Sequence, residues 1–334
     1  MTTTMQRREF ITLLGGAAAA WPLAAIAQQR TAIPVIGWLS SRNAETDASL
    51  LPAFRRGLSV YGLVEGRNVV TEYRFANGNY GQLTTLADDL ISRQPSVIVS
   101  PGAGAVTTQL LHNIRTNVPV VFITGADPVK IGLVPSLNRP GNNITGVTTV
   151  FRELAPKRLG LLHELLPQVT TITILVNALN PGSDEETTLL QQSAHNLGME
   201  LKFLHTTGTA DGIDHAFASM AQTPPQALLV TNDPFFFTRA NQLAILTARH
   251  AIPTLYFRRE FVSAGGLMSY GSVGDDNYRV AGEYTGRILK GEKASDLPVQ
   301  QPTRFELAIN VRTAKALNLS VPDKLLALAD AVIE

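Results

Sequence analysis

The chain alternates between short unbroken apolar runs and longer stretches in which apolar residues recur every three or four positions. Residues 33–39, 96–100 and 119–124 are Val- and Ile-rich runs of the length of buried strands, and residues 68–75 are also strand-like. Between them, residues 47–61 put Leu50, Leu51, Phe54, Leu58 and Tyr61 on one face. Residues 80–91 do the same with Leu83, Leu86, Ala87, Leu90 and Ile91. Both spacings predict helices, and residues 105–115 supply a third. The pattern then repeats, with strands expected at 171–176, 200–205, 227–231 and 253–257 and helices at 184–197, 211–221 and 235–250. Continuous apolar strands separated by amphipathic helices predict parallel sheets covered on both faces. The expected fold class is therefore α/β, as two Rossmann-like lobes.

The alternation is interrupted at a few places. Arg139-Pro140-Gly141-Asn142-Asn143 is a turn-rich stretch running into the strand-like Ile144-Thr145-Gly146-Val147. Residues 265–271 form a glycine-flanked strand, 277–290 a helix, 298–301 a short extended segment and 305–310 another strand. These breaks place lobe one at 33–143 plus 272–297 and lobe two at 149–266 plus 303–334. Hinge segments are expected at 144–148, 267–271 and 298–302. Ligands of such sheets bind beyond the carboxyl ends of the strands, so two facing lobes put one site in the cleft between them.

The N-terminus departs from this pattern. Arg7-Arg8-Glu9-Phe10-Ile11 precedes a moderately apolar run that ends in Ala25-Ile26-Ala27. A basic start, an apolar centre and a small-x-small end predict an export signal cleaved after Ala27. The arginine pair followed by x-Phe-Ile resembles the twin-arginine signal. Gly15, Gly16 and Pro22 interrupt the run, which is shorter than the roughly 20 apolar residues of a spanning helix. A periplasmic location is expected. Removing Arg7, Arg8 and Glu9 with the signal leaves acidic and basic residues equal in number, so the chain has no basic footprint for nucleic acid. The absence of cysteine excludes disulfides, thiolate metal sites and cysteine nucleophiles.

Catalytic patterns are missing. Gly102-Ala103-Gly104-Ala105-Val106-Thr107 lacks the third glycine of a dinucleotide loop, and neither a phosphate-binding G-x-x-x-x-G-K-[ST] loop nor a G-x-S-x-G elbow occurs. His163-Glu164 has no histidine three residues on, and the six histidines are scattered without zinc spacing. No metal or cofactor is expected.

The candidates left are polar groups just after strands: Ser40, Ser41, Thr124 and Asp127 in lobe one, and Asn180, Ser183, Asn232, Asp233 and Arg258 in lobe two. Gly102, Ala103 and Gly104 would offer backbone N–H groups to a ligand carboxylate. Asp127-Pro128 and Asp233-Pro234 also read as helix starts, with Asp as cap and Pro in the first turn. Either role is open for the two carboxylates, as a cap or as a partner for a cationic ligand group. Phe235, Tyr256 and Tyr270 are the aromatic candidates for cleft walls. An importer component, an exported α/β enzyme of hydrolase type and a ligand sensor all remain compatible with these residues.

Several stretches together are specific. They include Gly66-Arg67-Asn68-Val69, Asp127-Pro128-Val129, Arg139-Pro140-Gly141-Asn142-Asn143-Ile144-Thr145-Gly146 and Asp233-Pro234-Phe235-Phe236. Arg259-Glu260-Phe261-Val262, Ala264-Gly265-Gly266-Leu267-Met268-Ser269-Tyr270-Gly271 and Thr313-Ala314-Lys315-Ala316-Leu317 extend the match towards the C-terminus. With the arginine-led start, they resemble the tryptophan/tyrosine-type substrate-binding proteins of ABC importers. The resemblance implies a type I periplasmic binding protein fold with three hinge strands, and a monomer that captures a small organic solute such as an amino acid or another carboxylate. It also implies a membrane permease and an ATPase as partners. Better-known relatives bind aromatic amino acids; paralogues often carry serine where Arg258 stands.

Overall fold

The computed structural model describes residues 33–102, 117–180 and 182–334. The arginine-led segment, Ala103, Gly104 and the helix expected at 105–115 lie outside the described residues. Two sheets carry the fold. The first contains β1 (Val35–Ser40), β2 (Val70–Phe75), β3 (Val97–Pro101), β4 (Val120–Thr124) and β5 (Ile144–Thr148) in the order β2-β1-β3-β4-β5. All of its strand pairs are parallel. Strands β3, β4 and β5 are buried along their whole length, which is why their sequences are unbroken apolar runs and not alternating ones.

The second sheet contains β6 (Thr171–Asn177), β7 (Glu200–Thr206), β8 (Leu228–Val230), β9 (Thr254–Tyr256), β10 (Met268–Ser272), β11 (Phe305–Asn310) and β12 (Ala331–Ile333). Their order is β12-β11-β10-β9-β8-β6-β7. This sheet is not wholly parallel, because β11 runs antiparallel to β10. Between those two strands the chain visits the first lobe, and it re-enters the second sheet from the opposite end.

That excursion is helix Gly274–Leu289, which follows β10 after the single residue Val273 and packs against helix Leu51–Ser59. Glycines let the two backbones touch. A Cβ on Gly57 would sit 2.0 Å from the Arg279 carbonyl oxygen, and one on Gly282 would sit 2.1 Å from that of Phe54. The chain passes between the sheets in two more places. Residues 149–154 lead from β5 to helix Ala155–Leu165, and residues 301–304 lead into β11. Just before the latter, Gln300 lies beside β5, its N–H on the Gly146 carbonyl (3.0 Å) and its own carbonyl accepting from the Thr148 N–H (2.9 Å).

Two expected helices are each divided. Residues 47–61 form Ala44–Ala48, capped by the Asn43 side chain on the Thr46 N–H, and Leu51–Ser59, with Pro52 in its first turn. Residues 235–250 form Pro234–Thr238 and Ala240–Arg249, broken at Arg239, whose φ of −114° leaves the helical range. The first of these pieces carries three consecutive buried phenylalanines. Successive helix positions point about 100° apart, so Phe235, Phe236 and Phe237 reach three different surroundings.

Two apolar clusters belong to single lobes, one around Phe122 and Leu90 and one around Leu162 and Ile309. A third is continuous from Trp38, Phe54 and Tyr278 of lobe one to Phe237, Phe257 and Phe261 of lobe two. The lobes are therefore packed together through aromatic side chains.

Candidate functional site

The carboxyl ends of β1, β3 and β4 face those of β8 and β9 across a small cavity of about 50 Å³. Gly102, Thr124 and Gly125 border it from lobe one, and Asn232, Phe237, Phe257 and Arg258 from lobe two. Arg42, two residues past β1, and Tyr278 of helix Gly274–Leu289 complete one wall. Thr149 and Phe151 come from a crossing segment.

Arg42 is almost fully buried and held by two side chains. Its Nε donates to Asp47 Oδ1 at 2.6 Å and its Nη2 to the Tyr278 hydroxyl. Asp47 also accepts from the Trp38 indole N–H at 2.7 Å, so the carboxylate behind the guanidinium is itself fixed. Burial works against the Arg42 charge, but Asp47 and Tyr278 outweigh it and hold its pKa above the ordinary arginine value. Gly102 has φ +83°, and a Cβ there would lie 2.3 Å from Arg42 Nη1, so this position accepts only glycine beside the arginine.

Arg258 mirrors Arg42 from lobe two. Its Nε and Nη2 donate to Glu260, with Nη2 to Oε1 at 2.6 Å. Burial alone would raise the Glu260 pKa, but the charges and hydrogen bonds of Arg258, with Arg42, hold it below the ordinary carboxylate range. Both guanidinium groups lie over the Phe237 ring, Arg258 at 4.4 Å and Arg42 at 5.8 Å from its centroid.

Asp233 does not border the cavity. It caps helix Pro234–Thr238, Oδ1 accepting from the Phe235 N–H (2.7 Å) and Phe236 N–H (3.2 Å). Its Oδ2 accepts from Asn180 Nδ2 (2.7 Å), Asn177 Nδ2 (3.2 Å) and, across the lobes, the Tyr80 hydroxyl (3.4 Å). Burial pushes the Asp233 pKa up, against the pull of these donors. Burial, and then the charge of Asp233, raise that of Tyr80 well above the usual tyrosine value.

Of the residues singled out from the sequence, Gly102, Thr124, Asn232 and Arg258 meet at the cavity. Ser40 and Ser41 are fully buried and do not border it, and Ser40 Oγ accepts from the Arg42 N–H at 3.2 Å. Asp127 is half-buried, and its Oδ1 caps the Val129 and Lys130 N–H groups. Asn180 holds Asp233, and the Ser183 hydroxyl donates to the Asn180 carbonyl at 2.9 Å. Phe235 packs on Gly78. Tyr256 lies in the core and not in the cleft, stacked on Phe261 at 4.7 Å with its hydroxyl bonded to Thr247. Tyr270 likewise stays within lobe two, stacked on Phe305 at 6.3 Å. Ala103 and Gly104 lie outside the described residues. Arg42, Phe237, Phe257 and Tyr278 are new. The signal for Arg42 is its position directly after Ser40-Ser41 at a strand end; Tyr278 carries no such mark.

A larger recess of about 550 Å³ shares Arg258 and Glu260 with this region. Its charged walls are largely paired with one another, Arg56 with Asp275 (2.8 Å), Arg259 with Glu306 (2.8 Å) and Arg304 with Asp276 (3.1 Å). It has no aromatic wall, so the smaller interlobe cavity is the better candidate for binding an organic ligand. Among the described residues no group of His, Asp or Glu side chains is placed to hold a metal ion, and no helix is long and apolar enough to cross a membrane.

Two α/β lobes joined by three crossings, with one polar and aromatic cavity between their strand ends, define a bilobal solute-binding protein. The chain belongs to the ABC transporter substrate binding protein family, whose sequence profile matches residues 48–333. Proteins of this family bind solutes and are not enzymes. A tyrosine-binding protein of Clostridioides difficile is 24% identical over 272 residues, covering 80% of this chain and 75% of the relative. A conserved domain protein from Vibrio cholerae O1 biovar El Tor has a similar structure, with a TM-score of 0.81 at 23% identity, covering 90% of this chain and 100% of that one. The ABC domain from Streptococcus pneumoniae in complex with L-Trp has a TM-score of 0.77 at 22% identity, covering 89% and 100%.

Proposed function

We propose that this protein is the solute-binding component of an ABC importer. It captures a small organic carboxylate between its lobes and presents the closed form to a membrane permease and its ATPase. The observation that carries this reading is the placement of Arg42 and Arg258, one from each lobe, on the same small cavity. A carboxylate between them gains charge-assisted hydrogen bonds from both sides, which favours the closed arrangement over the open one. Ligand pockets for such molecules span roughly 300–1,000 Å³, far above the space between the packed lobes, so entry requires the lobes to separate. The pivots are the three crossings, which adjoin the segments 144–148, 267–271 and 298–302.

A thermal-shift screen of amino acids, small carboxylates and polyols on the purified protein tests the reading. A ligand at 100 times its Kd is expected to add about 2.7 kcal/mol of stability. Small-angle scattering should show a smaller radius of gyration with that ligand. No stabilising compound, together with an unchanged radius under every condition, would count against solute capture.

Export through the twin-arginine route, with cleavage after Ala27 and a periplasmic site of action, is part of the same proposal. It is supported by Arg7-Arg8-Glu9-Phe10-Ile11 and Ala25-Ile26-Ala27. Replacing Arg7 and Arg8 by lysine is expected to leave the precursor in the cytoplasm, as seen by immunoblotting of cell fractions. Unchanged processing in cells without the twin-arginine translocase would refute this route.

A further inference from the structure

We propose that the ligand is a planar aromatic carboxylate without an ammonium group, so that desamino aromatic acids are preferred over the corresponding amino acids. This rests on the solute-binding reading above and narrows it to a substrate class.

Two cations and no carboxylate border the cavity among the described residues. Residues 103–116, which follow Gly102 in the sequence, contain no Asp or Glu. An amino acid brings an ammonium as well as a carboxylate, and a buried ammonium needs an anionic or acceptor partner. The neighbouring acids are already engaged. Asp47 holds Arg42 and Trp38, and Glu260 holds Arg258 through two nitrogens. Asp233 accepts from two backbone N–H groups, two asparagine amides and Tyr80, which fills the roughly four lone-pair sites of a carboxylate. Its burial is already costly to its charge, and withdrawing these donors to admit an ammonium would also uncap helix Pro234–Thr238. An ammonium in the cavity would face Arg42 and Arg258 with only neutral acceptors such as Thr124, Thr149 and Asn232 on the wall, whereas a carboxylate meets both guanidinium groups.

The rest of the wall defines the apolar part of the ligand. Phe151, Phe237, Phe257 and Tyr278 border the same space. Flat faces and edges of this kind select a planar ring over a branched aliphatic chain or a polyol.

Matched pairs that differ only in the ammonium group test the proposal on the unmodified protein: 3-phenylpropanoate against L-phenylalanine, and indole-3-propanoate against L-tryptophan, by isothermal titration calorimetry at neutral pH. Each desamino acid is expected to bind at least about tenfold tighter than its partner. Arg258→Gln is expected to reduce that affinity by at least about tenfold, and Arg42→Lys to act in the same direction. Equal or tighter binding of the amino acid in either pair overturns the proposal and leaves solute capture standing. Binding of a polyol such as myo-inositol with none of the four aromatic probes does the same. Failure of every compound, in this assay and in the broad screen, removes both readings.

Discussion

Glu186→Ala is expected to destabilise the protein by about 3–5 kcal/mol, the usual result of removing one partner of a buried ion pair. Arg158 of helix Ala155–Leu165 and Glu186 of helix Ser183–Leu197 are both shielded from solvent, with Nη2 and Oε1 2.6 Å apart. Burial pushes the Arg158 pKa down and that of Glu186 up, so each charge is costly to bury and is offset by its partner. Arg158 Nε and Nη1 have no hydrogen-bond partner, which leaves the guanidinium under-satisfied even with Glu186 present. Glu186 Oε2 accepts from the Asn232 N–H at 2.9 Å, and Asn232 borders the cavity, so the pair also fixes a wall of the site. Urea unfolding of the wild type and the variant measures the loss. The double variant Arg158→Leu/Glu186→Leu should recover most of it, because replacing both charges removes two desolvation penalties together. A loss below about 1 kcal/mol for the single variant would mean that the pair contributes no net attraction.

Gly125→Leu is expected to hold the lobes apart and to weaken ligand binding by at least about a hundredfold, or 2.7 kcal/mol. Gly125 follows β4 in lobe one, and a Cβ there would sit 2.5 Å from Nδ2 of Asn232 in lobe two. The Asn232 amide can turn aside from a single methyl group, so Gly125→Ala should have a small effect and the branched side chain a large one. Gly125 is not among the residues at positive φ, so the wedge acts by size and not by backbone strain. Gly78 also faces the opposite lobe, against Phe235, but its φ of +84° would mix the two effects. Scattering should give Gly125→Leu a larger radius of gyration than wild type, one that saturating ligand fails to reduce. Normal compaction with ligand would show that the lobes close along another line.

The two-lobe α/β architecture is legible in the chain because its apolar runs are short, rich in Val and Ile and regularly separated by amphipathic stretches, as buried parallel strands between helices are. The direction of β11 is not, since an apolar run reads the same from either end. Strand ends locate the cavity but not the side chains that face it. Tyr256 and Phe257 are neighbours at the end of β9, yet successive strand positions point to opposite faces. Tyr256 packs into the core and Phe257 reaches the cavity. The phenylalanine run around the helix start is ambiguous for a similar reason: Phe237, not Phe235, borders the cavity, and choosing between them requires the surroundings of all three rings. Tyr278 is further still from being readable. It lies on a helix whose contact with Arg42 bridges 236 positions and depends on the chain returning to lobe one.

That return sets an order of events in biogenesis. Lobe one begins at Val35, but its helix Leu51–Ser59 gains the partner against which its glycine face is shaped only when residues 274–289 exist. During synthesis the first lobe therefore leaves the ribosome incomplete, and it can be finished only after five of the seven strands of the second sheet have emerged. A chain built this way acquires its native first lobe late, close to release. Export of an already folded molecule, as proposed from the arginine pair, suits that timetable, because a translocase that threads unfolded chain would have to postpone the same closure until residues 274–289 had crossed.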